Sequence, residues 1–216
     1  MDPLEDIYPP FALRIRCGEL ELRHVRESDL PAIVELVRGG IYDPAVLPFL
    51  TRWAEAGDEL ARNTLQFYWS AFAASGPDAW HMVLAVRHRG TLVGVQDVTA
   101  QHFATLRSLD TGSWLGREHQ GRGIGTLMRQ AVCAFGFDVL AAEQMTSAYM
   151  AGNRASEGVS RKLGYRPNGV NRLAHPDDGS VRIEERVLLL PSDFVRPAEP
   201  VEVDAPRALL HFLGAG

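Results

Sequence analysis

From residue 19 to 25 the chain alternates. Leu20, Leu22 and His24 fall on one side and Glu21 and Arg23 on the other, the period-2 pattern of a half-buried strand. The period then lengthens. Leu30, Ile33, Leu36 and Val37 recur at helical spacing, with Ser28 or Asp29 as N-cap, Pro31 in the first turn where proline costs least, and Gly39-Gly40 as terminator. A loop containing Pro44 and Pro48 leads to a second helix capped at Asp58, with Ala61, Leu65, Tyr68 and Phe72 as its apolar stripe and Gly76-Pro77 as its stop. Two strand-like runs, 80–89 and 91–101, join at His88-Arg89-Gly90 and predict a hairpin. A third run, 109–116, is interrupted by Gly112, which inside a strand marks a bulge or a close backbone approach.

The glycine-rich turn Gln120-Gly121-Arg122-Gly123-Ile124-Gly125 then opens an amphipathic helix whose Ile124, Leu127, Met128, Ala131, Val132 and Phe135 lie on one face. Residues 145–150 read as a strand and 153–163 as a helix closed by Gly164. The last strands are 166–174 and 182–190, around Pro176-Asp177-Asp178-Gly179. The order β-α-α-β-β-β-α-β-α-β-β describes a mixed sheet with interleaved helices, one α/β or α+β domain over 18–195. Residues 1–17 form an arm and 196–216 a proline-containing tail. The apolar end of that tail, Leu209, Leu210, Phe212 and Leu213, favours docking over disorder.

A chain of 216 residues is one domain with appendages, large enough to bury a core without staples. Its 46% hydrophobic and 23% charged residues match ordinary globular proteins and exclude disordered and collagen-like classes. No apolar run approaches the roughly 18 residues of a membrane span. The acidic, proline-containing N-terminus lacks a secretory signal, so a cytoplasmic protein is expected. A net charge of −5 argues against a nucleic-acid partner. Cys17 and Cys133 show no metal-ligand spacing, so no metal site is expected and both thiols are read as reduced.

Glycines at 121, 123 and 125 let the backbone approach a ligand and leave N–H groups free at a helix N-terminus, where the helix dipole favours a phosphate or pyrophosphate. Arg117 and Arg122 add charge at the rim. The glycines alone are equally compatible with a tight turn whose N–H groups face water. A Walker loop is disfavoured because Thr126-Leu127 follows with no lysine, and a Rossmann fingerprint because Thr126 stands three residues after Gly123.

The remaining pattern, Q-x-x-G-x-G at 120–125, comes with Asn153-Arg154-Ala155-Ser156 and Arg161-Lys162-Leu163-Gly164-Tyr165. Together they resemble the GCN5-related N-acetyltransferase (GNAT) superfamily over roughly residues 18–195. Gly112-Ser113-Trp114-Leu115, and Ser156 three residues after Asn153, look like the RimJ/RimL branch, which acetylates protein N-terminal amines. The resemblance implies a GNAT fold: a mixed, mostly antiparallel sheet of six to seven strands, four main helices and a splayed central strand pair. It implies acetyl-CoA as cofactor, with coenzyme A as product. Its pyrophosphate would lie on the backbone of Gln120, Gly121, Arg122, Gly123, Ile124, Gly125 and Thr126. The pantetheine would pair with the strand at Trp114 and Leu115, Asn153 would contact the pantetheine, Ser156 the sulfur, and Arg161 the nucleotide end. A backbone N–H near Leu115 is then placed to polarise the thioester carbonyl.

Attack requires a neutral amine, and an α-amino group, with a pKa of about 7.7–8, needs less help from a base than a lysine at about 10.4. The candidate bases are Asp110, and Glu184 or Glu185 near the last strand, each equally readable as a solvated carboxylate. Many members of the family carry a tyrosine seven residues after the Asn. Here that position is Ser160, so Ser156 is the candidate acid. An acceptor site between the first two helices and the last hairpin is implied by the same resemblance. Residues 41–60 carry Asp43, Glu55, Asp58 and Glu59 against Arg52, a lip that suits a cationic amine. Phe49, Trp53, Phe67 and Trp69 suit either that pocket or the core. The expected partners are acetyl-CoA and an amine acceptor, a peptide N-terminus or a small molecule such as an antibiotic or polyamine, with a homodimer left open. A catalytically silent acyl-CoA-binding module is the rival from another class.

Overall fold

The alternation around residue 22 becomes β2 (Leu20–His24), with Leu20, Leu22 and His24 buried. The computed structural model describes residues 3–43, 46–176 and 178–216; Pro44 of the expected loop and Asp177 of the expected last turn lie outside the described residues. The other strands are β1 (Arg14–Cys17), β3 (Ala79–His88), β4 (Thr91–Gln101), β5 (Ser108–Leu115), β6 (Gln144–Met150), β7 (Arg166–Ala174), β8 (Val181–Leu189) and β9 (Val201–Asp204). Among the described residues they form one nine-stranded sheet in the order β7-β8-β6-β5-β4-β3-β2-β1-β9, antiparallel except between β5 and β6. The helices are α1 (Pro3–Ile7), α2 (Leu30–Arg38), α3 (Leu60–Ala74), α4 (Phe103–Leu106), α5 (Ile124–Ala134), α6 (Arg154–Leu163) and α7 (Arg207–Phe212).

The strand and helix counts exceed the expected six to seven and four because short elements join at both ends. Four residues, Arg14 to Cys17, pair with β2 on one side and β9 on the other, so the expected arm and tail each add a strand. α1 is tied down by Glu5, whose carboxylate accepts from Arg14 at 2.8 Å and Arg26 at 3.2 Å. The tail docks as expected: Leu209 and Leu213 are buried, and Trp80 Nε1 donates to the Leu213 carbonyl at 3.2 Å.

β3 is buried on both faces, which explains its unbroken apolar run. Val83 and Ala85 pack with Val25, Ile33 and Tyr68 under α2 and α3. Met82, Leu84 and Val86 pack on the other side with Met128, Val132 and Phe135 at α5. The hairpin turn uses Arg89 (φ 52°) and Gly90 (φ 79°), both left-handed, as a two-residue turn matched to the strand twist requires.

Three local expectations are corrected. Asp29 and Asp58 make no side-chain cap on α2 or α3. Asp29 instead takes both nitrogens of the Arg23 fork and one from Arg87, stronger partners than a free amide. The stripe of α3 is Leu60, Thr64, Tyr68 and Ala71, because the helix is rotated so that Leu65 and Phe72 sit at the flank. Gly112 carries no bulge either. It pairs with Asp97 in unbroken register, and the nearby irregularity falls at Val86/Arg87.

The splayed pair is present, and it arises on the partner strand. β5 and β6 pair from Ser108↔Gln144 to Thr111↔Ser147, after which β6 follows β8 out to Met150↔Glu184. A wedge therefore opens at Gly112, flanked by α5 and α6.

Candidate active site

The chain leaves β5, makes a tight turn at 117–119 and enters the glycine loop. Gly121 (φ 74°) and Gly123 (φ 83°) are left-handed, and a Cβ at either would meet nothing within 4 Å, so backbone conformation rather than crowding calls for glycine. The N–H groups of Gly121, Arg122, Gly123, Ile124 and Gly125 have no partner among the described residues; the first bonded amides are Thr126 and Leu127, both to the Gly123 carbonyl at 3.0 Å. Five consecutive free donors at the N-terminus of an eleven-residue helix form a concentrated anion-binding surface. Gln120 holds this loop in place. Its Nε2 donates to the carbonyls of Ile41 at 2.8 Å and Leu115 at 2.9 Å, fixing the loop against the end of β5.

Gly116 N–H donates to Val93, so Gly112 and Trp114 turn their backbone groups to β4, and Ser113 and Leu115 turn theirs to the edge that β6 has vacated. An extended ligand arm can add to that edge as a strand would. Across the wedge, Asn153 caps α6 by accepting from Ser156 N–H at 3.1 Å and reaches the Pro48 carbonyl at 3.4 Å. Ser156 is half-buried in the first turn of α6, beside the wedge, while Arg122 and Arg161 are exposed. The loop, β5 and α6 thus bound one groove; of the expected binding residues, the N–H groups of Gln120 and Thr126 are not free for a ligand, donating to the Arg117 carbonyl at 3.2 Å and the Gly123 carbonyl at 3.0 Å, and Trp114 turns its backbone to β4.

The two faces of the wedge differ in charge. On the α2/α3 face Asp110 accepts from Thr146 at 2.5 Å and Arg186 at 2.9 Å, while Glu184 accepts from Asn171 at 2.9 Å and lies 3.7 Å from Arg186. Asp110 and Glu184 therefore share one guanidinium. Glu185 turns to the other face, where, after burial, its charge and hydrogen bond push the Tyr149 phenol up. Sequence reasoning missed a third carboxylate here. Asp97 lies opposite Gly112, where a Cβ would stand 3.6 Å from its Oδ2, and its Oδ1 is 3.4 Å from His81 Nε2. Neither of those two facing atoms has a hydrogen bond. The available signal was an acidic residue inside the apolar run of β4, in register with the strand before the glycine loop.

Over this face a row of aromatic rings runs from Tyr42 through Phe49 and Trp53 to Trp114, with centroids 5.7, 5.7 and 6.1 Å apart. Phe49 and Trp53, expected in either the acceptor pocket or the core, stand in this row. Phe67 and Trp69 lie elsewhere: Phe67 covers His81, and Trp69 lines a separate groove between α2 and α3. Of the acidic lip, Glu55 is engaged by Arg52 and Tyr42.

On the α5 face the wedge holds Arg129, a residue the sequence did not single out, in contact with Ser113, Ser147 and Ser160.

The model of the acetyltransferase (GNAT) domain family matches residues 19–166. Similar solved structures include RimJ of Mycobacterium smegmatis in complex with CoA-disulfide, 18% identical with a TM-score of 0.64 over 83% of this chain and 86% of that one. A Salmonella typhimurium acetyl transferase that modifies the N-terminal serine of a 50S ribosomal subunit protein is also 18% identical, with a TM-score of 0.62 over 80% and 95%. RimL in complex with coenzyme A is 17% identical, with a TM-score of 0.60 over 80% and 94%. With a family match spanning the glycine loop, the wedge and both flanking helices, this chain belongs to the GNAT family of N-acetyltransferases.

Proposed function

We propose that the protein transfers an acetyl group from acetyl-CoA to a primary amine at the N-terminus of a protein or peptide, by direct attack in a ternary complex. The observation that carries this reading is the run of five unpartnered N–H groups beginning at Gly121, beside the vacated edge of β5. The two features suit the two halves of coenzyme A, a pyrophosphate and an amide-bearing arm. Acetyl-CoA supplies an activated thioester; the chain binds it, orients it and manages protons. Ser113 and Leu115 offer their backbone groups to the arm, in place of the expected Trp114, whose own are turned to β4; Asn153 and Ser156 face the arm, and Arg122 and Arg161 stand at the phosphate end. The Leu115 N–H is the donor for the carbonyl oxygen.

The acceptor approaches from the aromatic side. A carboxylate there takes the proton through water, and Asp97 is better placed than Asp110 or Glu184. Its Oδ1 has no hydrogen bond, whereas both of the others already accept from two groups or lie beside Arg186. The N-terminal amine fits because about a tenth of it is neutral at pH 7. The likeness to RimL and to the Salmonella enzyme supports a ribosomal-protein N-terminus as the first acceptor to try; a small-molecule amine is the second reading, supported by the open aromatic face.

Ser156→Ala is expected to lower kcat about tenfold or more while raising the acetyl-CoA KM less, because its hydroxyl acts on the departing sulfur rather than on the ground state. An unchanged kcat would remove Ser156 from the chemistry. The reading as a whole is tested by following free thiol release from acetyl-CoA with a panel of short peptides bearing different N-terminal residues, then polyamines and aminoglycosides. Turnover with free N-termini, lost when those termini are blocked, is expected. Tight acetyl-CoA binding with no release for any amine would make the chain a silent binding module.

A further inference from the structure

Arg129 is a buried charge with no counter-charge among the described residues. Arg129 is 3% exposed, and its guanidinium reaches only three hydroxyls: Ser113 Oγ at 3.0 Å, Ser160 Oγ at 3.2 Å and Ser147 Oγ at 3.4 Å. Its Nε has no hydrogen-bond partner, and no carboxylate pairs with it among the described residues. The acids behind it stay neutral: burial pushes the Cys133 thiol up to about 12 and holds the Tyr165 phenol well above its ordinary value. A guanidinium withdrawn from water with no opposing charge is costly, and it persists only where something compensates it.

Its three contacts locate it. Ser147 is on the last paired rung of β5 and β6, Ser113 is two residues beyond that rung on β5, and Ser160 faces the same gap from α6. The guanidinium therefore sits at the apex of the wedge, on the face opposite Asp97. Ser160 is small enough to admit it.

We propose that Arg129 is a catalytic residue of acetyl transfer, its guanidinium stabilising the thiolate that departs when the thioester is cleaved. The inference rests on the reading that acetyl-CoA lies with its arm along β5. In the step, the amine nitrogen bonds to the acetyl carbon and the carbon–sulfur bond breaks. The electron pair goes to sulfur, and the proton of the amine passes through water to the carboxylate face. Arg129 gives charge and no proton, since a guanidinium stays protonated in proteins. The departing thiolate is the counter-charge that the resting site lacks, so the stabilisation is largest where sulfur is most negative. Coenzyme A then leaves as thiolate and takes its proton from solvent.

The test needs no acceptor. Affinities of coenzyme A and desulfo-coenzyme A for the full chain are measured from about pH 6 to about pH 9.5, on either side of the free thiol pKa of about 8.5. If Arg129 holds the thiolate, the affinity ratio of coenzyme A over its desulfo analogue rises about tenfold or more with pH, levelling off above the free thiol value. Arg129→Met flattens the ratio to within about twofold, and Arg129→Lys, which keeps the charge without the fork, falls between. A flat ratio in the wild type, with both ligands bound, overturns the role of Arg129 alone. A rise that survives Arg129→Met overturns it too, and should Arg129→Met fail to fold, the wild-type ratio and Arg129→Lys decide. If neither ligand binds, the proposed function itself is wrong and the inference falls with it.

Discussion

Replacing Asp29 by Ala is expected to destabilise the fold by about 3 kcal/mol, a large share of the stability of an ordinary domain. The carboxylate is 2% exposed and joins three elements. It receives the Arg23 fork at 2.7 and 2.8 Å, Arg87 at 2.9 Å and the Arg26 N–H at 2.8 Å, so β2, β3 and the entrance to α2 meet on one side chain. Removing one partner of a buried pair costs about 3–5 kcal/mol, because the other charge is left without compensation. The lower end applies here, since the Arg23 and Arg87 side chains keep 19% and 26% of their surface and can take up water. The pH dependence has a definite sign. Burial pushes the Asp29 carboxyl up, but the hydrogen bonds from Arg23, Arg26 and Arg87 outweigh it and hold the group below its ordinary value of 3.8. Its contribution is therefore present above the unfolded value and is lost as pH falls through the lower folded one. Urea denaturation of wild type and Asp29→Ala at neutral pH and at about pH 3 reads both effects: a wide gap at neutral pH that narrows in acid. A neutral-pH gap under about 1 kcal/mol would mean the cluster behaves as a solvated surface pair.

Asp97→Asn is expected to lower kcat about 10²-fold, within the range for loss of a general base, with the acetyl-CoA KM little changed. Asp110→Asn, whose carboxylate already serves Thr146 and Arg186, is expected to cost less than about tenfold. The pH profile separates a base from a structural carboxylate. In Asp97→Asn the rate should climb with pH through the ionisation of the acceptor amine, about 7.7–8 for an N-terminus, and approach the wild-type rate in alkali. A structural defect would lower the profile evenly. If Asp110→Asn proves the more damaging variant, the proton leaves toward Arg186 and the assignment of Asp97 is wrong.

Much of this site was legible in the sequence because its parts are local. Gln120 to Gly125 names a turn, a helix start and a donor surface within six residues, and Asn153 with Ser156 names a cap within four. The elements that escaped are short and held by distant partners. No pattern in Arg-Ile-Arg-Cys announces a strand whose neighbours are β2 and a segment nearly two hundred residues away. The same limit hid the charges of the wedge. That Asp97 faces Gly112 depends on the register of two strands. That Arg129 lies among three serines depends on β5, β6 and α6 converging, and no spacing along the chain records such a convergence. Asp29 was misassigned for a related reason: a cap is a local role, and the guanidiniums that displaced it come from two neighbouring strands.

Acetyl transfer by this chain requires acetyl-CoA to occupy the groove between the glycine loop, β5 and α6. A melting curve of the full chain with acetyl-CoA, against NAD and ATP as controls, tests this most directly. Acetyl-CoA at 100 times its Kd stabilises by about 2.7 kcal/mol, a rise of roughly 5–10 °C for a chain of this size. A rise with acetyl-CoA and none with NAD or ATP is the predicted result. No rise with acetyl-CoA, or an equal rise with NAD, would contradict it, and the five free amides would then be a turn that faces water.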